Sequence, residues 1–208
     1  MATRFPKREQ RKQASRTALI NAAIELLREH GFEDTRLEAV AERAGLHVQT
    51  LYRHFACKRE LVTAVDQHYL DRFQAACAAR TEDTMHFWRA WMRKSTRNMV
   101  TAGRRYTQSV NDIYAVPNFP TPYLRIWHEY EQTLARALAE DLQCDDQDPL
   151  PILIACMLWG GTTHVYRRWL QDPKGCDLEG ETLALIDRVI EQHGMATTRS
   201  HTVALKRN

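Results

Sequence analysis

The 208-residue sequence has no uninterrupted apolar run of the roughly 18–20 residues that a membrane-spanning helix needs. The basic N-terminus has no apolar stretch of the kind found in secretory leaders, so the expected site of action is the cytoplasm, with no membrane partner. No CxxC occurs among the five cysteines, and their scatter argues against a disulfide framework or a zinc site. Cys57, beside Lys58 and Arg59, is the thiol whose setting most favours a redox role; reduced, inert thiols are the plainer reading. There is no phosphate-cradling glycine loop, no HExxH and no nucleophile elbow. Cys156 and His164 would stand about two helical turns apart, beyond contact. No catalytic residue, metal site or cofactor is expected, and the enzyme class is set aside. Alternating β-branched stretches are also missing, which argues against a sheet.

Apolar residues at helical spacing are present along the whole chain. Ile20, Ala23, Ile24 and Leu27 form the stripe of a first helix, and Gly31 is placed to end it in the left-handed conformation. Thr35 and Glu38 read as a capping box opening a second helix that turns Leu37, Val40, Ala41 and Ala44 inward. Beyond residue 60 the punctuation predicts long helices at about 58–80, 84–102, 104–115, 120–143, 149–171 and 180–194. The expected fold is all-α, with about nine helices. A basic, disordered arm (1–15) precedes a three-helix domain (16–62), a larger helical bundle (63–195) and a polar tail (196–208).

Charge separates the ends of the chain. The net charge is +3, yet the first 60 residues carry 12 Lys and Arg against 8 Asp and Glu, and the remaining 148 sum to −1. The basic arm is equally readable as a phosphate-binding element or as a solvated tail.

The chemistry concentrates between Leu37 and Phe55. Two short helices crossing steeply need a small residue at the crossing, a residue tolerant of positive φ in the turn, and an apolar anchor facing back. Ala41, Gly45 and Leu51 stand at those offsets. With His47 as N-cap, Leu46 and Leu51 take the N′ and N4 positions of a hydrophobic staple. Val48, Gln49, Arg53 and in part Thr50 then face outward, a set suited to base edges in a major groove. Tyr52 and His54 flank that face as phosphate donors, and Lys58 opens the next helix where its charge adds to the helix amides. A solvated helix face is the plainer alternative.

Residues 17–65 resemble the DNA-binding domain of the tetracycline-repressor (TetR) family. The matching residues are Ala22, Ala23, His30, Gly31, Phe32, Thr35, Val40, Ala41, Ala44, Gly45, Thr50, Leu51, Tyr52, His54, Phe55, Lys58 and Leu61. The resemblance implies a three-helix DNA-binding domain, a connecting helix, and a larger domain for ligand binding and dimerisation. It adds Thr35 and Arg36 to the candidate DNA contacts. The chain departs from it at His47 and Cys57, where Ser or Thr, and Ser or Asn, are usual. His47 is then either an imperfect cap or a base-reading group.

For the larger domain the resemblance implies a small-molecule effector. Trp88, Trp91, Met92, Tyr106, Tyr123, Trp127 and Trp159 are the candidate pocket residues, suited to a bulky apolar or aromatic ligand, with core packing as the alternative. The segment 151–163 is too apolar for a helix with one solvent face. With Gly160–Gly161 and the stripe Leu183, Leu185, Ile186, Val189 and Ile190, it is the candidate homodimer interface, through helices near 149–171 and 180–194. A core helix within one chain is the alternative. The expected function is a regulator binding a double-stranded operator and released by a small molecule. The rival is a DNA-binding regulator controlled by a protein partner or by no effector.

Overall fold

Gly31 adopts φ 84° and ψ 178°, a conformation open to glycine and strained for any side chain, and it kinks the first helix where the sequence places a stop. The computed structural model describes the backbone of residues 6–114, 121–145 and 148–205, and the side chains of 7–102, 125–145 and 148–193. Among these are eight helices: α1 Pro6–Asp34, α2 Leu37–Arg43, α3 Val48–His54, α4 Lys58–Ala78, α5 Thr84–Tyr114, α6 Thr121–Leu142, α7 Leu150–Gln171 and α8 Leu178–Leu205.

Three boundaries differ from the sequence reading. Helix α1 reaches back to Pro6, so the basic stretch expected as a disordered arm is helical from there on. The two helices expected at 84–102 and 104–115 are replaced by one, Thr84–Tyr114, that runs through Gly103. A single glycine weakens a helix by only about 1 kcal/mol, too little to end one. Helix α8 likewise continues to Leu205, past the expected start of the tail.

Two compact units share the chain. The first comprises the N-terminal segment to Tyr69 together with Ala102–Pro122; the second comprises Leu70–Thr101 and the chain from Tyr123. The first boundary falls inside α4, seven residues beyond the position expected from sequence. In the first unit, α1, α2 and α3 enclose Leu19, Ala23, Val40, Leu51, Phe55 and Leu61. Arg43 of α2 reaches α1 and forms a fork with Glu29, at 3.1 and 2.9 Å, and touches Glu25 at 3.2 Å. The long α1 therefore fixes the pose of α2.

The second unit is built around Phe73, Trp88, Leu134, Leu138, Ile154, Leu158 and Ile186. Arg80 binds the Ala137 carbonyl, Glu140 and Asp141, while Asp141 also accepts the Thr84 amide at 2.6 Å. Arg97 and Arg89 of α5 pair with Glu179 and Asp187 of α8. Helices α7 and α8 pack closely because Gly161 has no side chain: a Cβ there would lie 2.7 Å from both Leu185 methyls. Of the stripe expected to face a second subunit, Ile186 and Val189 are instead buried in this unit's own core. The partner that Gly161 admits is α8 of the same chain, whereas Gly160 faces open space.

Candidate nucleic-acid interface

Helix α2 ends because Gly45 takes φ +67°, reversing the chain. The Leu46 amide donates to the Ala41 carbonyl and the Gly45 amide to the Glu42 carbonyl, both at 2.9 Å. This paired closure satisfies the last carbonyls of α2 and turns Leu46 back under it. Ala41 is 1% exposed at the crossing, and Leu51 and Phe55 are fully buried. The helix–turn–helix is thus held by the residues whose spacing announced it.

Helix α3 begins at His47, whose Nδ1 accepts the Gln49 amide at 3.2 Å. A neutral ring that accepts at Nδ1 carries its proton on Nε2, leaving that N–H as a donor on an exposed side chain. Gln49 and Arg53 are exposed beyond the cap, Val48 and Thr50 are half-buried, and Tyr52 is 49% exposed. Arg36 is exposed at the N-cap of α2 and caps nothing with its side chain.

Thr35 departs from expectation. It is buried, and its hydroxyl donates back to the Gly31 carbonyl at 2.6 Å, so it caps no helix and presents no side chain to the surface. The kink at Gly31 frees the carbonyl that takes this proton. Glu38, expected to complete the capping box, instead accepts the Tyr52 hydroxyl at 3.1 Å. Its carboxylate is the foremost reason the Tyr52 phenol titrates above its usual range. Glu60 reaches back to accept the Ala56 amide at 2.7 Å, one residue before Cys57.

The flanking donors are partly committed. Lys58 Nζ donates to the Glu33 carbonyl at 3.0 Å and lies 4.5 Å from the Phe32 ring centre. Burial lowers its pKa, against the pull of Glu33 and Asp34. An ammonium has three donors, so two remain. His54 is half-buried, and its Nε2 is enclosed without a hydrogen-bond partner. Burial, then the charges of Arg53, Arg16 and Lys12, hold its pKa below the usual range. The last two belong to α1, which sequence reasoning kept apart from this face. Arg16 closes over the Phe55 ring at 4.6 Å.

In the second unit the pocket candidates belong to a web of rings. Tyr130 stacks on Trp159 at 4.5 Å, and Trp159 touches Trp88 at 5.9 Å and Trp127 at 6.1 Å. Phe73, which the sequence reading passed over, joins Trp88, Trp91 and Tyr130 at 5.0–5.6 Å. Trp88 is fully enclosed and its indole N–H has no partner; Trp91, Met92, Trp127 and Trp159 are half-buried. The side chains of Tyr106 and Tyr123 lie outside the described residues.

A short helix with amide and guanidinium groups on its free face, set by a tight turn on a three-helix scaffold, defines a helix-turn-helix DNA-binding protein. Residues 19–65 match the model for bacterial regulatory proteins of the tetR family, and residues 101–194 match that of the MftR C-terminal domain. The regulator TcmR of Streptomyces glaucescens is 27% identical over 172 residues, covering 78% of this chain and 76% of TcmR. RutR of Escherichia coli is 36% identical over 77 residues, covering 37% of this chain and 36% of RutR. Among solved structures, the fold resembles SmeT, repressor of the multidrug efflux pump SmeDEF of Stenotrophomonas maltophilia. The TM-score is 0.62 at 24% identity, covering 87% of this chain and 91% of SmeT. Thermus thermophilus FadR, in complex with lauroyl-CoA, gives a TM-score of 0.62 at 17% identity, covering 85% and 93%. The protein belongs to the TetR family of transcriptional regulators and is not an enzyme.

Proposed function

We propose that the protein is a cytoplasmic repressor whose dimer binds a pseudo-palindromic operator and leaves it when a bulky apolar or aromatic small molecule binds the second unit. The exposed face of α3 carries this reading: Gln49 and Arg53 project from a helix held by Gly45 and capped by His47. Gln suits adenine edges, Arg guanine, and the Val48 methyls a thymine. Tyr52, the two free donors of Lys58, Arg36 and His54 are assigned to the sugar–phosphate backbone.

The second subunit is assigned to the outer face of α7. Leu153 is 56% exposed and Met157 37%, with Cys156 and Gly160 exposed beside them. Exposed apolar residues grouped on one face of a helix fit an association surface. In a dimer each subunit would present one α3 to its own half-site, in successive major grooves.

The effector is assigned to the ring-lined side of the second unit, at Trp91, Met92, Trp127 and Trp159. Proteins of this fold have been described in complex with triclosan (SmeT) and with lauroyl-CoA, both with large apolar parts. Such a ligand acts by preferring one of two dimer states, through its differential affinity for them.

Selection of duplexes from a random-sequence pool, followed by footprinting, tests the first half: two protected half-sites about one helical turn apart are expected. Titrating aromatic compounds while following tryptophan fluorescence and operator release tests the second. A protein that selects a duplex but is released by no compound would favour control by a protein partner.

A further inference from the structure

The first turns of α1 carry Lys7, Arg8, Arg11, Lys12 and Arg16 against a single acid, Glu9. Residues 7–14 are all exposed, and all five basic residues precede the segment that matches the family model. Being helical turns this run into a surface. Arg8, Lys12 and Arg16 recur every fourth position and share one face, with Arg11 and Lys7 beside it. That face leads to the recognition helix. The Arg16 guanidinium sits on Phe55, the C-cap of α3, and Lys12 and Arg16 lie near enough to His54 for their charges to act on its ring. The stripe therefore reaches the C-terminal end of α3, beside His54. From Arg8 to Arg16 it rises roughly 12 Å, the axial length of three or four phosphates on one strand.

We propose that this basic extension of α1 is a second DNA-contacting element, in which Arg8 and Lys12 hold the phosphates flanking the segment read by α3. The proposal rests on the DNA-binding reading above and extends it beyond the helix-turn-helix. Its occupant is a duplex backbone: among the described residues this face holds no apolar side chain for a protein partner, and its charge has the sign a phosphate ladder requires. Arg16 is excluded from that role because its guanidinium is engaged on Phe55. The contact carries no sequence information, and it widens the footprint and steepens the salt dependence.

The test uses the full chain and a duplex that the wild-type protein selects from a random-sequence pool. Affinity for that duplex and for a scrambled one is followed across a range of KCl concentrations. Arg8→Ala/Lys12→Ala is compared with a control of equal charge change in the second unit, Lys94→Ala/Lys174→Ala. For the stripe variant the slope of log affinity against log salt should fall by about 0.9 for each contact removed. Both duplexes should weaken by on the order of tenfold or more near 0.1 M salt, with the preferred sequence unchanged. The far-ultraviolet spectrum should match wild type, since both side chains are exposed. An unchanged slope and affinity would overturn the proposal, as would an equal loss in the control or a changed sequence preference. If the wild-type protein selects no duplex at all, the DNA-binding reading fails and this inference falls with it.

Discussion

The Tyr52 hydroxyl donates to Glu38 Oε1 at 3.1 Å, tying the recognition helix to the helix before it by a carboxylate on the face assigned to DNA. A phosphate approaching Tyr52 must compete with that carboxylate for the same proton and meets its negative charge. Glu38→Gln should therefore tighten binding to every duplex by roughly twofold to fivefold, the range of an exposed charge pair, and steepen its dependence on salt. Tyr52→Phe should weaken binding to all duplexes alike. If Glu38→Gln loosened the operator complex, the carboxylate would instead be positioning Tyr52 for it.

His47 separates two roles in one side chain. As an N-cap it satisfies the Gln49 amide, so His47→Ala should destabilise the first unit by about 1 kcal/mol, while His47→Ser should restore the loss. If the residue only caps, the serine variant will select the same duplex as wild type. A changed base at one half-site position would show that its outward N–H reads DNA. Thermal melts and duplex selection read the two effects independently.

Gln49 and Lys58 should fail in different ways. Gln49→Ala removes an exposed group that nothing else needs, so stability should hold while discrimination at one base pair falls by about 1–3 kcal/mol. Lys58 closes on the Glu33 carbonyl and the Phe32 ring. Lys58→Ala should therefore lower the melting temperature as well as weaken binding to all sequences. A Lys58 variant that weakened binding with no loss of stability would show these contacts to be incidental.

These contrasts trace what one sequence makes legible. Ala41, Gly45 and Leu51 could be placed because their demands are local: a crossing, a turn and an anchor within eleven residues. Thr35 could not, since the partner of its hydroxyl is the Gly31 carbonyl, left free by a kink four residues earlier. A capping box and a buried kink-locking threonine look alike in sequence. Ile186 and Val189 were expected to face a partner because helical periodicity gives a stripe and not what covers it; Leu185 against Gly161 turned that stripe inward. The basic run at residues 7–16 read as an arm because its composition is polar, and only its helical course brings it to His54.

With Ile186 and Val189 in the core, the dimer prediction is tested on the exposed stripe of α7. Met157→Asp places a charge on the exposed stripe beside Leu153, so a subunit interface there should be lost while the buried core is left intact. Sedimentation should show a monomer with an unchanged helical spectrum, and operator affinity should collapse because two half-sites are no longer bound together. A dimer that survives this variant would move the interface elsewhere. Gly161→Ala should act differently, destabilising the subunit itself by about 1–3 kcal/mol as its methyl meets Leu185, whereas Gly160→Ala meets open space.

Asp66, on α4, gives a dependence on pH with a definite sign. Burial pushes its carboxyl up to about 7 from an ordinary 3.8, and no ion pair to it is found among the described residues. The folded protein therefore keeps a proton on Asp66 over a range in which the unfolded chain has released it. Wherever the native state binds more protons, stability falls as pH rises. The contribution of this residue is thus most favourable below about pH 4, declines between 4 and 7, and levels off above 7. Asp66→Asn mimics the protonated form and should remove that decline, so the variant should gain on wild type most clearly at pH 8. Urea unfolding at pH 5 and pH 8 measures the difference, and an equal gain at both would show that Asp66 does not titrate there.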